Sequence, residues 1–146
     1  MARDFTKIQA WRLADDLVVQ VYELTKSFPR EETYGLTSQV RRAASSVPAN
    51  IAEGANRASK KEYLHFLSIA TGSLAETRYF LHLSKRLGYL NETTYHSSNN
   101  LAEETSKTLS GLVAAVQKEI AIQVTSVVLP LSALISTFYF VWKSVI

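Results

Sequence analysis

Apolar residues recur along this chain at spacings of three and four, with polar residues between them. The first such segment, Thr6 to Ser27, carries Trp11, Ala14, Leu17, Val18, Val21 and Leu24, with Phe28 just beyond. That spacing is one face of a helix. Thr6 with Gln9 reads as a capping box, in which hydroxyl and amide satisfy free backbone N–H groups. Lys26 in the last turn and Pro29 after it mark the end. The second segment runs from about Glu31 to Glu53, with Leu36, Val40, Ala43, Val47 and Ile51 as its stripe. Glu31 and Glu32 suit a helix N-terminus through the macrodipole. Gly54 suits the position just past a helix end, where a left-handed backbone is needed. Pro48 removes the hydrogen bond Ala44 would accept, which predicts a kink and a cost of about 3 kcal/mol if uncompensated. The stripe keeps its phase on both sides of Pro48, so the pattern predicts one kinked helix, not two elements.

The third segment starts at Ser59, which makes a second capping box with Glu62. It carries Tyr63, Phe66, Leu67, Ala70, Leu74, Phe80, Leu81 and Leu87, and Gly88 closes it after Lys85 and Arg86. The fourth segment has Asn91 as its N-cap. Tyr95, Leu101, Leu109, Leu112, Val113 and Val116 face one side, and Glu103, Glu104 and Lys107 the other. Four amphipathic helices joined by short turns predict an all-α fold: an antiparallel up-down-up-down four-helix bundle over residues 1–119, its second helix kinked. Composition agrees, because five glycines and three prolines are too few for the turns of a β-sandwich or barrel.

Residues 120–146 break the pattern and form a hydrophobic C-terminal extension. From Ile120 to Trp142 the chain carries 23 residues without a charge. The length matches a membrane span. Tyr139, Trp142 and Lys143 suit an interface, and Pro130 is tolerated in such helices. Gln123 and several serines and threonines weaken the match, so a buried or oligomer-packed extension competes equally, with a shifted reading frame as a third origin. The N-terminus, "MARDFTKIQAWRLADD", lacks the apolar core of a signal peptide. The expected location is therefore cytoplasmic, with membrane association through 120–146 as the alternative.

With no cysteine, disulfides, thiolate zinc sites and cysteine nucleophiles are excluded. Glu62 and His65 have the Glu-x-x-His spacing of di-iron bundles, but no second copy follows. His65 and His82 are seventeen residues apart, about 260° around a helix, so they cannot share a site on one face. His96 lies near a helix start, where a surface role is expected. No Gly-x-Ser-x-Gly elbow and no glycine-rich phosphate loop are present. The expectation is a non-enzyme with no catalytic, metal or cofactor site. The net charge of +3 permits contact with nucleic acid without demanding it. Arg41, Arg42, Arg57, Lys60 and Lys61 form the candidate surface for nucleic acid or a protein partner. Ion pairs between helices or subunits are the competing use of the same residues. Arg42 and Glu53 lie three turns apart on one face, so their partners are expected on other helices or chains.

The blocks "YGLTSQ", "RRAA", "NIAEG" and "FLSIATGSLAE", with "WRLADDLVVQVYELTKSFP" before them and "LGYL" after, resemble the family named after proteins encoded in intervening sequences of bacterial 23S rRNA genes. The resemblance covers roughly Phe5 to Glu119 and stops before the hydrophobic tail. It implies an antiparallel four-helix bundle assembled into a ring-shaped homo-oligomer, commonly a pentamer. A related branch, the accessory variability determinants of diversity-generating retroelements, implies a basic scaffold for structured RNA or a reverse transcriptase. Arg41, Arg42, Asn50, Glu53, Gly54 and Arg57 fall at family signature positions by that resemblance.

Overall fold

The computed structural model describes residues 3–145, with side chains over residues 3–125. Among the described residues four α-helices form: α1 Gln9–Leu24, α2 Leu36–Ala55, α3 Lys60–Arg86 and α4 Glu92–Val145. Each packs on two neighbours, α1 on α2, α2 on α3, α3 on α4 and α4 back on α1, which closes the expected antiparallel bundle. The direction is legible in ion pairs. Lys85–Glu92, Arg78–Glu103 and Lys60–Glu119 descend α3 as they climb α4.

The core is the meeting of the four stripes. Leu17 and Val21 of α1, Val40, Val47 and Ile51 of α2, Leu67, Leu74 and Leu81 of α3, and Leu109 and Val116 of α4 are fully buried. Truncating one such leucine to alanine costs about 2–5 kcal/mol. Polar residues also enter the interior. Thr25, Thr77, Ser84, Ser98 and Thr105 are buried, and each hydroxyl donates to the carbonyl four residues back. The hydroxyls are thus satisfied without a partner helix, and small residues at these points let the helices approach.

Helix boundaries correct several expectations. The Thr6–Gln9 capping box does not form. Asp4 caps a short 3-10 turn, Phe5–Lys7, by accepting the Thr6 N–H at 3.1 Å and the Thr6 hydroxyl at 2.6 Å. Helix α1 begins only at Gln9, after Ile8, with no side-chain cap. Glu31 and Glu32 lie in a separate 3-10 turn, Arg30–Glu32, and α2 starts at Leu36. Glu32 still serves that start, because its Oε2 accepts the Leu36 N–H at 2.8 Å. Helix α2 runs unbroken through Pro48, as the continuous phase of its stripe requires.

Gly54 is not the residue past the helix end. It lies inside α2, buried, and a Cβ placed there would sit 2.8 Å from both Phe66 Cβ and Tyr63 Cδ2. Absence of a side chain is what lets α2 and α3 close on each other. Gly88 does fill its expected role at φ +79°. The Tyr89 N–H reaches the Ser84 carbonyl at 2.9 Å and the Gly88 N–H reaches Lys85 at 3.0 Å, the paired bonds of a Schellman ending. Ser59 accepts the Glu62 N–H at 3.1 Å, and Asn91 accepts the Thr94 N–H at 2.8 Å, so both N-caps form as expected.

Helix α4 crosses the 119/120 boundary without interruption and continues to Val145. Just past the bundle, Ile122 and Val124 are 60% and 56% exposed. Among the described residues no helix is long and apolar enough to cross a membrane. The uncharged run to Trp142 lies largely outside the described side chains.

Candidate functional site

Adjacent residues on a helix point about 100° apart, and that separation divides the arginine pair. Arg41 turns toward α1, where its Nε donates to Thr25 Oγ1 at 2.8 Å and its guanidinium lies 4.7 Å from the centre of the Tyr22 ring. Arg42 turns toward α3, where its Nη2 donates to Glu76 Oε1 at 2.7 Å and to Gln39 Oε1 at 3.1 Å. The Arg42 side chain remains 60% exposed, so this surface pair is worth no more than about 1 kcal/mol. Both arginines therefore have partners within their own chain.

The other three candidates gather at the opposite end of α2, roughly 20 Å away along the helix axis. Arg57 follows the end of α2, pairs with Glu53 and stacks 4.7 Å from the centre of the Phe66 ring. Glu53 thus finds its partner four residues on, not on another helix. Lys60 opens α3, with its Nζ 3.2 Å from Glu119 Oε2. Lys61 beside it is exposed.

Two further cations join this end. The Arg3 N–H donates to the Ala55 carbonyl at 2.9 Å, which straps the N-terminal segment across the end of α2. Its guanidinium donates to Glu119 Oε2 at 2.8 Å and lies 4.8 Å from the Tyr63 ring centre. Lys7 pairs with Asp4 at 3.4 Å and is 79% exposed. Helical periodicity could not place either residue, because both precede α1 and their position is set by the strap. The charges of Arg3 and Lys7 themselves are the signal the sequence offers.

Arg3, Asp4, Lys7, Arg57, Ser59 and Lys60 bound an open concavity of about 540 Å³. A second of about 630 Å³ shares Ser59 and Lys60 and extends to Lys61, Ile120 and Val124. Carboxylates are close by, at Asp4, Glu53, Glu62 and Glu119, so the excess of positive charge is small. Pairing leaves donors unused, because an ammonium has three and a guanidinium five. Glu119 shows the strength of the local field. The hydrogen bond from Lys60, with the charges of Arg3 and Lys60, holds its carboxyl below the ordinary value against a desolvation that raises it. Burial pushes the Tyr63 phenol the other way, upward.

The histidines do not assemble. Glu62 accepts the Ser59 hydroxyl at 2.9 Å in the first turn of α3, while His65 packs edge-on against Phe66. His96 pairs with Glu92 on the surface of α4. Among the described residues no group of three or more histidines and acids is placed to hold a metal.

Comparison with known proteins adds two findings. Residues 6–111 match the family model described as 23S rRNA-intervening sequence protein. A crystal structure from Bacteroides thetaiotaomicron, of a protein of unknown function from the S23 ribosomal protein family, is 28% identical with a TM-score of 0.67. The match covers 71% of this chain and 97% of that one. No curated protein matches.

Proposed function

This chain belongs to the 23S rRNA-intervening sequence protein family, and from that premise we propose that it is a non-catalytic scaffold that assembles with copies of itself and binds structured RNA or a nucleic-acid enzyme such as a reverse transcriptase. One observation carries the reading. Arg3, Lys7, Arg57, Lys60 and Lys61 converge on one end of the bundle around open concavities. Cations on a rigid helical frame suit a phosphate backbone, which is bound without reading base sequence. Arg41 and Arg42 serve the frame, tying α2 to α1 and α3. The test is an electrophoretic shift of a structured RNA at two salt concentrations. Binding should weaken steeply at the higher salt. Absence of salt-sensitive binding at micromolar protein removes the reading.

A second reading, a membrane-associated oligomer without a nucleic-acid partner, is favoured by a different observation. The uncharged run Ile120–Trp142 extends α4 past the bundle, with Ile122 and Val124 exposed where it leaves. Fractionating cells with and without residues 120–146 tests it. Full-length protein found wholly in the soluble fraction removes the anchor.

A further inference from the structure

The basic end and the root of the apolar helix are the same place. Glu119, the last acidic residue before the uncharged run, is held by Arg3 at 2.8 Å and Lys60 at 3.2 Å. Ile120 and Val124, in the first turns beyond it, line one concavity with Lys60 and Lys61. Lys7 stands 79% exposed on the adjoining concavity. Cations therefore collar the helix where it leaves the bundle. After the collar come 23 uncharged residues, about 35 Å as a helix, against a hydrocarbon layer of about 30 Å.

We infer that the collar is a docking surface for anionic lipid headgroups, which seats this end of the bundle on the bilayer that α4 enters. The inference rests on the membrane-associated reading and competes with RNA for the same cations. One feature favours the lipid. A bilayer uses both parts, because the helix brings the collar within a Debye length of the headgroups, where each cation adds to binding. Lys60 and Arg3 also pair with Glu119 at the helix root, which holds these cations beside the start of the apolar run.

The experiment is flotation of the full-length chain with vesicles of phosphatidylcholine alone or mixed with phosphatidylserine. Preferential, salt-sensitive binding to the mixed vesicles is expected. Each cation near an anionic surface contributes about fivefold, so Lys7→Glu with Lys61→Glu should weaken that binding by at least about 25-fold. Both side chains are exposed, circular dichroism checks the fold, and Lys7→Arg with Lys61→Arg should retain binding. Equal binding to both vesicle types, or binding unchanged in the glutamate variant, overturns the collar while leaving the anchor standing. No binding to either vesicle overturns the collar and the anchor together. A structured RNA that binds the chain with the same Lys7 and Lys61 dependence, when vesicles do not, overturns the inference and assigns the collar to nucleic acid.

Discussion

A glycine lies near the turn at each end of α3, one in the turn itself and one in the last turn of α2, and the two serve opposite needs. At the α3–α4 turn, Gly88 adopts φ +79° with nothing within 4 Å of where a Cβ would be. Its backbone is special and its surroundings are open. Inside the last turn of α2, Gly54 has an ordinary helical backbone and no room, with Phe66 and Tyr63 both at 2.8 Å. One glycine is required by the chain's own torsions, the other by a neighbouring helix.

That contrast is testable by substitution. The largest effect is expected at Gly54. Phe66 Cβ is attached directly to the α3 backbone, so Gly54→Ala must shift a helix, at a cost of about 1–3 kcal/mol. Gly88→Ala should cost about 1–2 kcal/mol from left-handed strain alone. Asparagine separates the two mechanisms. Gly88→Asn should recover part of the loss, since asparagine tolerates that backbone, whereas Gly54→Asn should be worse than alanine because it is larger. Chemical denaturation of the four variants checks this ordering, and equal losses at the two sites would end the distinction.

The smallest effect concerns acid. Each end of α3 pairs with a carboxylate of α4 held below its ordinary value of 4.5: Glu119 mainly by the hydrogen bond from Lys60, and Glu92 mainly by that from Lys85. A depressed carboxyl contributes stability that is present above its unfolded value and lost as pH falls through the folded one. Stability should therefore decline gently as pH drops below 4.5. Glu119→Gln and Glu92→Gln should each flatten part of that decline. Denaturation midpoints that stay level across this range would show that neither pair matters.

Much of this architecture was legible in the order of residues. The four stripes, the caps at Ser59 and Asn91 and the left-handed Gly88 depend on neighbours within one turn of helix, and local rules reach that far. The Thr6 capping box failed because Asp4, two residues earlier, offered a closer acceptor for the Thr6 N–H. Placing Gly54 outside its helix failed because glycine signals both a left-handed torsion and a close approach. Only the position of Phe66 and Tyr63 on another helix decides between them.

The basic surface divides along the same line. Residue order is enough to specify a helical bundle, many cations around α2 and an uncharged run after Glu119. Tertiary structure alone decided that Arg41 and Arg42 face different helices, and that Arg3 and Lys7 join Arg57, Lys60 and Lys61 where α4 leaves the bundle. Periodicity sets which way a side chain points from its own axis. What it meets there depends on how four axes pack, and that is settled by the buried residues between them.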